Sequence, residues 1–318
     1  MLNIDERAIQ DTDNDAVEAK ASAVKLGYWK DPYIKFFINE PKNKAPEINR
    51  GYFARTQSIE AITKEFIMSN NSSQIINVGS GSDTLYLRLL DQDVLPFKFV
   101  EIDLTENIMK KVSQFHQRKI FKEKLNLNQQ SKLSESIYNH PYYLFSFDIR
   151  SDPNELIEIL KKVEINFANP TLFITECVLV YINSESVDKF LSSMANHFQL
   201  SVFLSYDPIN MLDSFGKVMV SNLKMRHIEL NGISACMSKE THIHRFNKAY
   251  YSDVKVWLIS EVYKSFSKQT TKRIESIEML DDPEMMKQLF DHYCLIVAMT
   301  KSGLLKHDNI SDILSIIN

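Results

Sequence analysis

Apolar residues in this chain fall into two kinds of run. Short unbroken stretches rich in β-branched and aromatic residues occur at 74–78, 97–103, 142–147, 171–175 and 202–207, each of strand length and bounded by polar or turn residues. Between them apolar residues recur at helical spacing, as at 154–163 and 184–198. Buried strands alternating with amphipathic helices predict an α/β fold built on a mostly parallel, doubly wound sheet. A further apolar run at 292–299 predicts an antiparallel strand added near the C-terminus.

Two helical stripes precede the first strand. Ala16, Val17, Ala23 and Val24 form the first, with Lys20 in its middle; Ile59, Ile62 and Phe66 follow Arg55 at intervals of four, three and four in the second, so both cations ride on inward faces. Such a lysine can snorkel to water, and such an arginine can pair with a distant acid. Alternatively, both can bind one carboxylate. Segment 31–49 reads as a loop, 122–139 as a polar excursion, and 210–226 as an amphipathic helix with Leu212, Phe215, Met219 and Leu223 as its core stripe. His242 and His244 have strand-like spacing and no third partner, so no metal site is expected. The pattern suggests one domain: a helical cap (1–70), a core (71–206), a possible lid (207–250) and a completion of the sheet (251–318).

Composition narrows the function. A net charge of −4 with 25% charged residues lacks the basic excess that tracks nucleic acid. Three dispersed cysteines, a polar acidic N-terminus and no long apolar stretch predict a soluble, cytoplasmic protein with no membrane contact; a monomer is expected, though no residue pattern carries that expectation.

The chemistry begins where the first strand ends. Of only 7 glycines, Gly79 and Gly81 stand two apart directly after Val78, and the second strand ends in Asp103. A strand entering Gly-x-Gly, followed by an acid at the end of the next strand, is how doubly wound folds hold a nucleoside, the acid meeting ribose hydroxyls. The third glycine of a dinucleotide fingerprint is missing, with Asp83 and Thr84 in its place, and no phosphate-loop lysine follows. A phosphate-free cofactor fits better, which points to S-adenosylmethionine and a class I methyltransferase fold. Asp148 and Glu176 follow the third and fourth strands and would converge with Asp103 beside Gly79; each could equally cap the next helix.

The segments Gly27-Tyr28-Trp29-Lys30-Asp31-Pro32-Tyr33-Ile34 and Lys44-Ala45-Pro46-Glu47-Ile48-Asn49-Arg50-Gly51-Tyr52-Phe53-Ala54-Arg55 resemble the N-terminal signature of leucine carboxyl methyltransferases. The resemblance continues through 77–84, 176–181, 213–216 and 273–281. It implies S-adenosylmethionine-dependent methyl esterification of the C-terminal leucine of the protein phosphatase 2A catalytic subunit. By position it makes Lys20, Arg55, Gly79, Asp103, Asp148, Ile149 and Glu176 cofactor contacts; Ile149 stands where a leucine is usual. Tyr181 is a candidate for the substrate side. A carboxylate acceptor needs no catalytic base. Competing readings are a small-molecule O-methyltransferase, a tRNA-modifying relative that would carry an added repeat domain, and an inactive scaffold binding the phosphatase tail.

Overall fold

The computed structural model describes residues 4–127 and 135–315. Among these, eight strands form one sheet in the order β3-β4-β2-β1-β5-β6-β8-β7. The parallel core comprises β1 (Gln74–Val78), β2 (Lys98–Asp103), β4 (Tyr142–Ser146), β5 (Thr171–Glu176) and β6 (Ser201–Pro208). The antiparallel additions are β3 (Ile137–Asn139), β7 (Asp253–Leu258) and β8 (Tyr293–Met299). From β1 the chain winds one way to β2 and β4, then returns to the other side of β1 for β5 and β6. The direction of winding therefore reverses between β1 and β5, where Val78 lies beside Thr175; the strands part there and a crevice opens.

Side chains alternate across the sheet as the strand period requires. Ile75, Phe99, Leu172 and Leu204 face one core, and Ile76, Val100, Phe173 and Phe203 face the other. The helices α1 (Ile4–Leu26), α2 (Pro46–Ser69), α3 (Leu85–Leu90), α4 (Thr105–Gln117), α5 (Lys119–Lys124), α6 (Pro153–Lys162), α7 (Ser184–His197), α8 (Ser214–Met225) and α9 (Lys239–Lys248) follow in chain order. α2 sends Phe53, Ile59, Ile62 and Phe66 into the first core, while α6 and α7 send Leu156, Leu160, Phe190 and Met194 into the second. Local signals set helix starts: Asp152, Asn183 and Asp213 each accept a backbone N–H as N-cap.

Several expectations are corrected. The loop expected over 31–49 ends early, because Pro46 starts α2 as a first-turn proline. The excursion expected over 122–139 contains the end of α5 and all of β3, with Leu125 and Ile137 buried as anchors; its middle lies outside the described residues. His242 and His244 sit on α9, not a strand, two positions apart and thus on different faces, with His242 buried and His244 exposed. No cluster of metal-ligating side chains is found among the described residues. The stripe assigned to 210–226 holds in part: Met219 and Leu223, half-buried, pack on the small cluster around Val180 and Met211, whereas Leu212 precedes α8 and is 61% exposed. No helix among the described residues is long and apolar enough to cross a membrane.

Candidate functional site

The crevice between β1 and β5 opens into a cavity of about 300 Å³, at the small end of ligand-sized pockets. Lys20, Arg55, Gly79, Asp103, Asp148, Ile149, Glu176 and Tyr181 all line it. The turn after β1 supplies the floor. Gly79 has φ +66°, and a Cβ there would collide with the Val178 side chain, so the turn requires glycine for its backbone and for the close approach of the β5 loop.

The turn offers no free backbone N–H group to a ligand. Gly79 and Ser80 donate to the Ile102 carbonyl, Asp83 to the Ser80 carbonyl, Gly81 to Asp103 Oδ2 at 2.6 Å, Ser82 to Asp13 Oδ1 at 2.8 Å, and Thr84 and Leu85 to Asp83 Oδ1. Every N–H from 79 to 85 is taken from within the chain, most of the later ones by carboxylates. A phosphate at the turn would find no free backbone N–H and would meet the Asp13, Asp83 and Asp103 carboxylates.

Asp103 also accepts from Leu104 N and from Asn107 Nδ2 at 3.0 Å. Burial raises its carboxyl above the usual range, against the opposing pull of those N–H groups. Asp148 lies two residues beyond β4 and is held by Arg150 through two side-chain nitrogens at 2.6–3.0 Å. Burial pushes the Asp148 carboxyl up, but Arg150 brings it below its ordinary value. Ile149 beside it is buried against the second core.

Glu176 unites the two cations singled out by helical spacing. Lys20 Nζ lies 3.0 Å from its carboxylate and Arg55 Nε 2.5 Å, so Lys20 does not snorkel: it is 6% exposed and paired. Burial alone would raise the Glu176 carboxyl; Arg55 and Lys20 reverse that and hold it below the usual range. Lys20 also lies 3.7 Å from Asp83, whose own carboxyl is drawn down to about 2 despite burial, by Lys20 and Arg88. Arg55 carries its guanidinium between the Tyr206 and Tyr52 rings, 4.7 and 5.0 Å from their centroids. Among the described residues its two terminal nitrogens make no hydrogen bond.

Beyond Glu176, Cys177 takes φ +60° and turns the chain through Val178 toward Tyr181. Burial pushes the Cys177 thiol up to about 12 and the Tyr181 phenol higher still. Tyr52, Tyr293 and Leu223 complete this wall, and Tyr293 stacks on Tyr206 at 5.3 Å. Asp13, Tyr52, Arg150 and Tyr293 escaped sequence reasoning. Tyr52, three residues before Arg55 on the same helix, carried a usable signal; Asp13, Arg150 and Tyr293 carried none.

The model of the leucine carboxyl methyltransferase family matches residues 8–195. The chain is 37% identical to leucine carboxyl methyltransferase 1 of Bos taurus over 305 residues, covering 94% of this chain and 91% of that protein. It is 34% identical to the Caenorhabditis elegans protein of the same name, covering 92% of each. A methyltransferase from Thermobifida fusca of known structure superposes with a TM-score of 0.52 at 12% identity, covering 84% of this chain and 93% of that one; at that identity the likeness speaks to the fold. Identity sustained across nearly the whole length, on an α/β fold shared with a methyltransferase of known structure, leaves one assignment: the chain belongs to the leucine carboxyl methyltransferase family and is a methyltransferase.

Proposed function

We propose that this enzyme esterifies the α-carboxylate of the C-terminal leucine of the protein phosphatase 2A catalytic subunit, with S-adenosylmethionine as methyl donor. The observation that carries the reading is the state of the cavity's titratable groups. Glu176 is pinned as a carboxylate by two cations, and the Cys177 thiol and Tyr181 phenol are held protonated by burial. None of the three can take a proton from a hydroxyl or amine near neutral pH. That state suits an acceptor that arrives already ionised, as a C-terminal carboxylate with an unperturbed pKa of roughly 3.3–3.7 does.

The residues present fit the donor. Asp103 retains acceptor capacity for ribose hydroxyls, Ile149 and Asp148 suit an adenine face and edge, and the free fork of Arg55 suits the methionyl carboxylate. When bound, the donor supplies an activated methyl group on a cationic sulfur. The chain's part is to position the acceptor in line, about 3 Å away, and to strip water from its oxygens. Tyr52, Tyr181 and Tyr293 form the apolar wall suited to that task.

The test is transfer of labelled methyl from S-adenosylmethionine to the phosphatase catalytic subunit, run beside a subunit lacking its terminal leucine. Base-labile label on the intact subunit alone is expected. Label on neither, with the donor still bound, would favour a small-molecule acid or a tail-binding scaffold.

A further inference from the structure

Asp13 lies on α1, outside every motif considered above, yet it touches the centre of the glycine turn. Its Oδ1 accepts from Ser82 N at 2.8 Å and its Oδ2 from Ser82 Oγ at 2.6 Å. A Cβ on Gly81, which has φ +46°, would collide with Oδ1. The positive φ by itself favours glycine at 81, and the chain's own carboxylate lies in the space beside it that nucleotide-binding turns leave open to a phosphate. Seven residues on, two helical turns along the same face, Lys20 reaches Glu176 and Asp83. The length of α1 between them, including Ala16 and Val17, walls the cavity.

The anchoring of α1 is uneven. Its C-terminal half is held by apolar packing of Val17, Ala21 and Ala23. Its earlier turns are tied by Asp13 to Ser82, by an exposed pair between Asp15 and Arg226 just past α8, and by Ala8 against the small cluster around Val180 and Met211. The pair with Arg226 is exposed and worth little, so Asp13 ties the first half of α1 to the turn, as Lys20 ties the second half to Glu176 and Asp83.

We propose that Asp13 is a specificity-determining residue: an internal anion that occupies the phosphate position of the turn, so that the cavity takes a cationic, phosphate-free nucleoside and rejects nucleotides. The inference rests on the cofactor reading above. It adds that the selection comes from the N-terminal helix, not from the glycine turn itself.

The experiment compares the full-length wild type with Asp13→Ala and Asp13→Asn, using calorimetric binding of S-adenosylmethionine and competition by adenosine 5′-monophosphate. Wild type should bind S-adenosylmethionine and ignore millimolar adenosine monophosphate. Asp13→Ala should bind S-adenosylmethionine roughly tenfold or more weakly, as expected for a lost charge-assisted hydrogen bond, and should gain measurable competition by the nucleotide. Asp13→Asn keeps an acceptor for Ser82 N without the charge, so it should shift in the same direction by less; it also carries the test if the alanine variant does not fold. Weakened binding without gained competition would make Asp13 merely structural and overturn the proposal, as would unchanged behaviour of both variants. Failure of wild type to bind S-adenosylmethionine would instead defeat the cofactor reading itself.

Discussion

Arg55 shows how one residue's chemistry is set by its neighbours. Nε is bound to Glu176, and the guanidinium carbon lies within 5.0 Å of the centroids of two tyrosine rings; under the proposed function its terminal fork is left for a ligand carboxylate. Removing it should leave Glu176 with Lys20 alone and strip the ligand of a bidentate partner. Arg55→Ala is expected to weaken S-adenosylmethionine binding by about 2–3 kcal/mol, the scale of hydrogen bonds to charged groups. Arg55→Lys should recover little, because an ammonium cannot stack between rings while forking to two oxygens. Calorimetry on both variants checks this, and normal affinity in Arg55→Ala would sink the assignment. The inward aim of Lys20 and Arg55 was legible from helical spacing, as was Glu176 from its place at a strand end. Their meeting was not, since Glu176 lies 156 and 121 residues away in the chain and no local pattern encodes such a distance.

Among elements, pattern succeeded where burial was two-sided or a stripe faced the sheet. The five parallel strands are fully or nearly fully buried along their length, so apolar runs marked them. β7 is only partly buried throughout and mixes Asp253 and Lys255 with Val254 and Trp257, as an edge strand does; it carried no clean run. α2 and α8 present similar stripes, yet α2 packs into the main core while Met219 and Leu223 of α8 cover only the small cluster around Val180 and Met211. Phe66 on α2 is fully buried, whereas on α8 the stripe residues Met219 and Leu223 are half-buried and Val218, beside the stripe, is 58% exposed. Phe66→Ala should therefore destabilise by about 3–5 kcal/mol and Val218→Ser by about 0.5 kcal/mol or less. Urea unfolding of the two variants measures the contrast; equal losses would mean that α8 is packed more tightly than its exposure indicates.

For the whole molecule, buried charges set the response to acid. The Glu60 carboxyl, though buried, is drawn down to about 2 by Arg88 and Lys64, and Asp83 likewise to about 2 by Lys20 and Arg88. Burial and the Arg245 charge push the His242 imidazole down to about 3, and it is bonded to the Pro208 carbonyl at 3.0 Å. All three groups bind protons more readily unfolded than folded, so each favours the fold above its unfolded pKa and that advantage is lost as pH falls toward the folded value. Stability should decline below about pH 6.5 through His242, with a slope approaching ~1.4 kcal/mol per pH unit for one proton. It should fall more steeply below about pH 4.5 as the carboxylates join. In His242→Gln the urea midpoint should flatten between these two pH values; an unchanged slope would reassign it to other groups. The sequence by itself determined the alternation of strands and helices, the glycine turn, the strand-end acids and the resemblance to a family, because each is written in residues close together along the chain. Only the tertiary structure decided which acid neutralises which cation, that α1 supplies the anion on the turn, and that α8 stays at the surface. Those outcomes depend on how distant segments meet when the sheet's winding reverses between β1 and β5, where burial makes an unpaired charge too costly to leave alone.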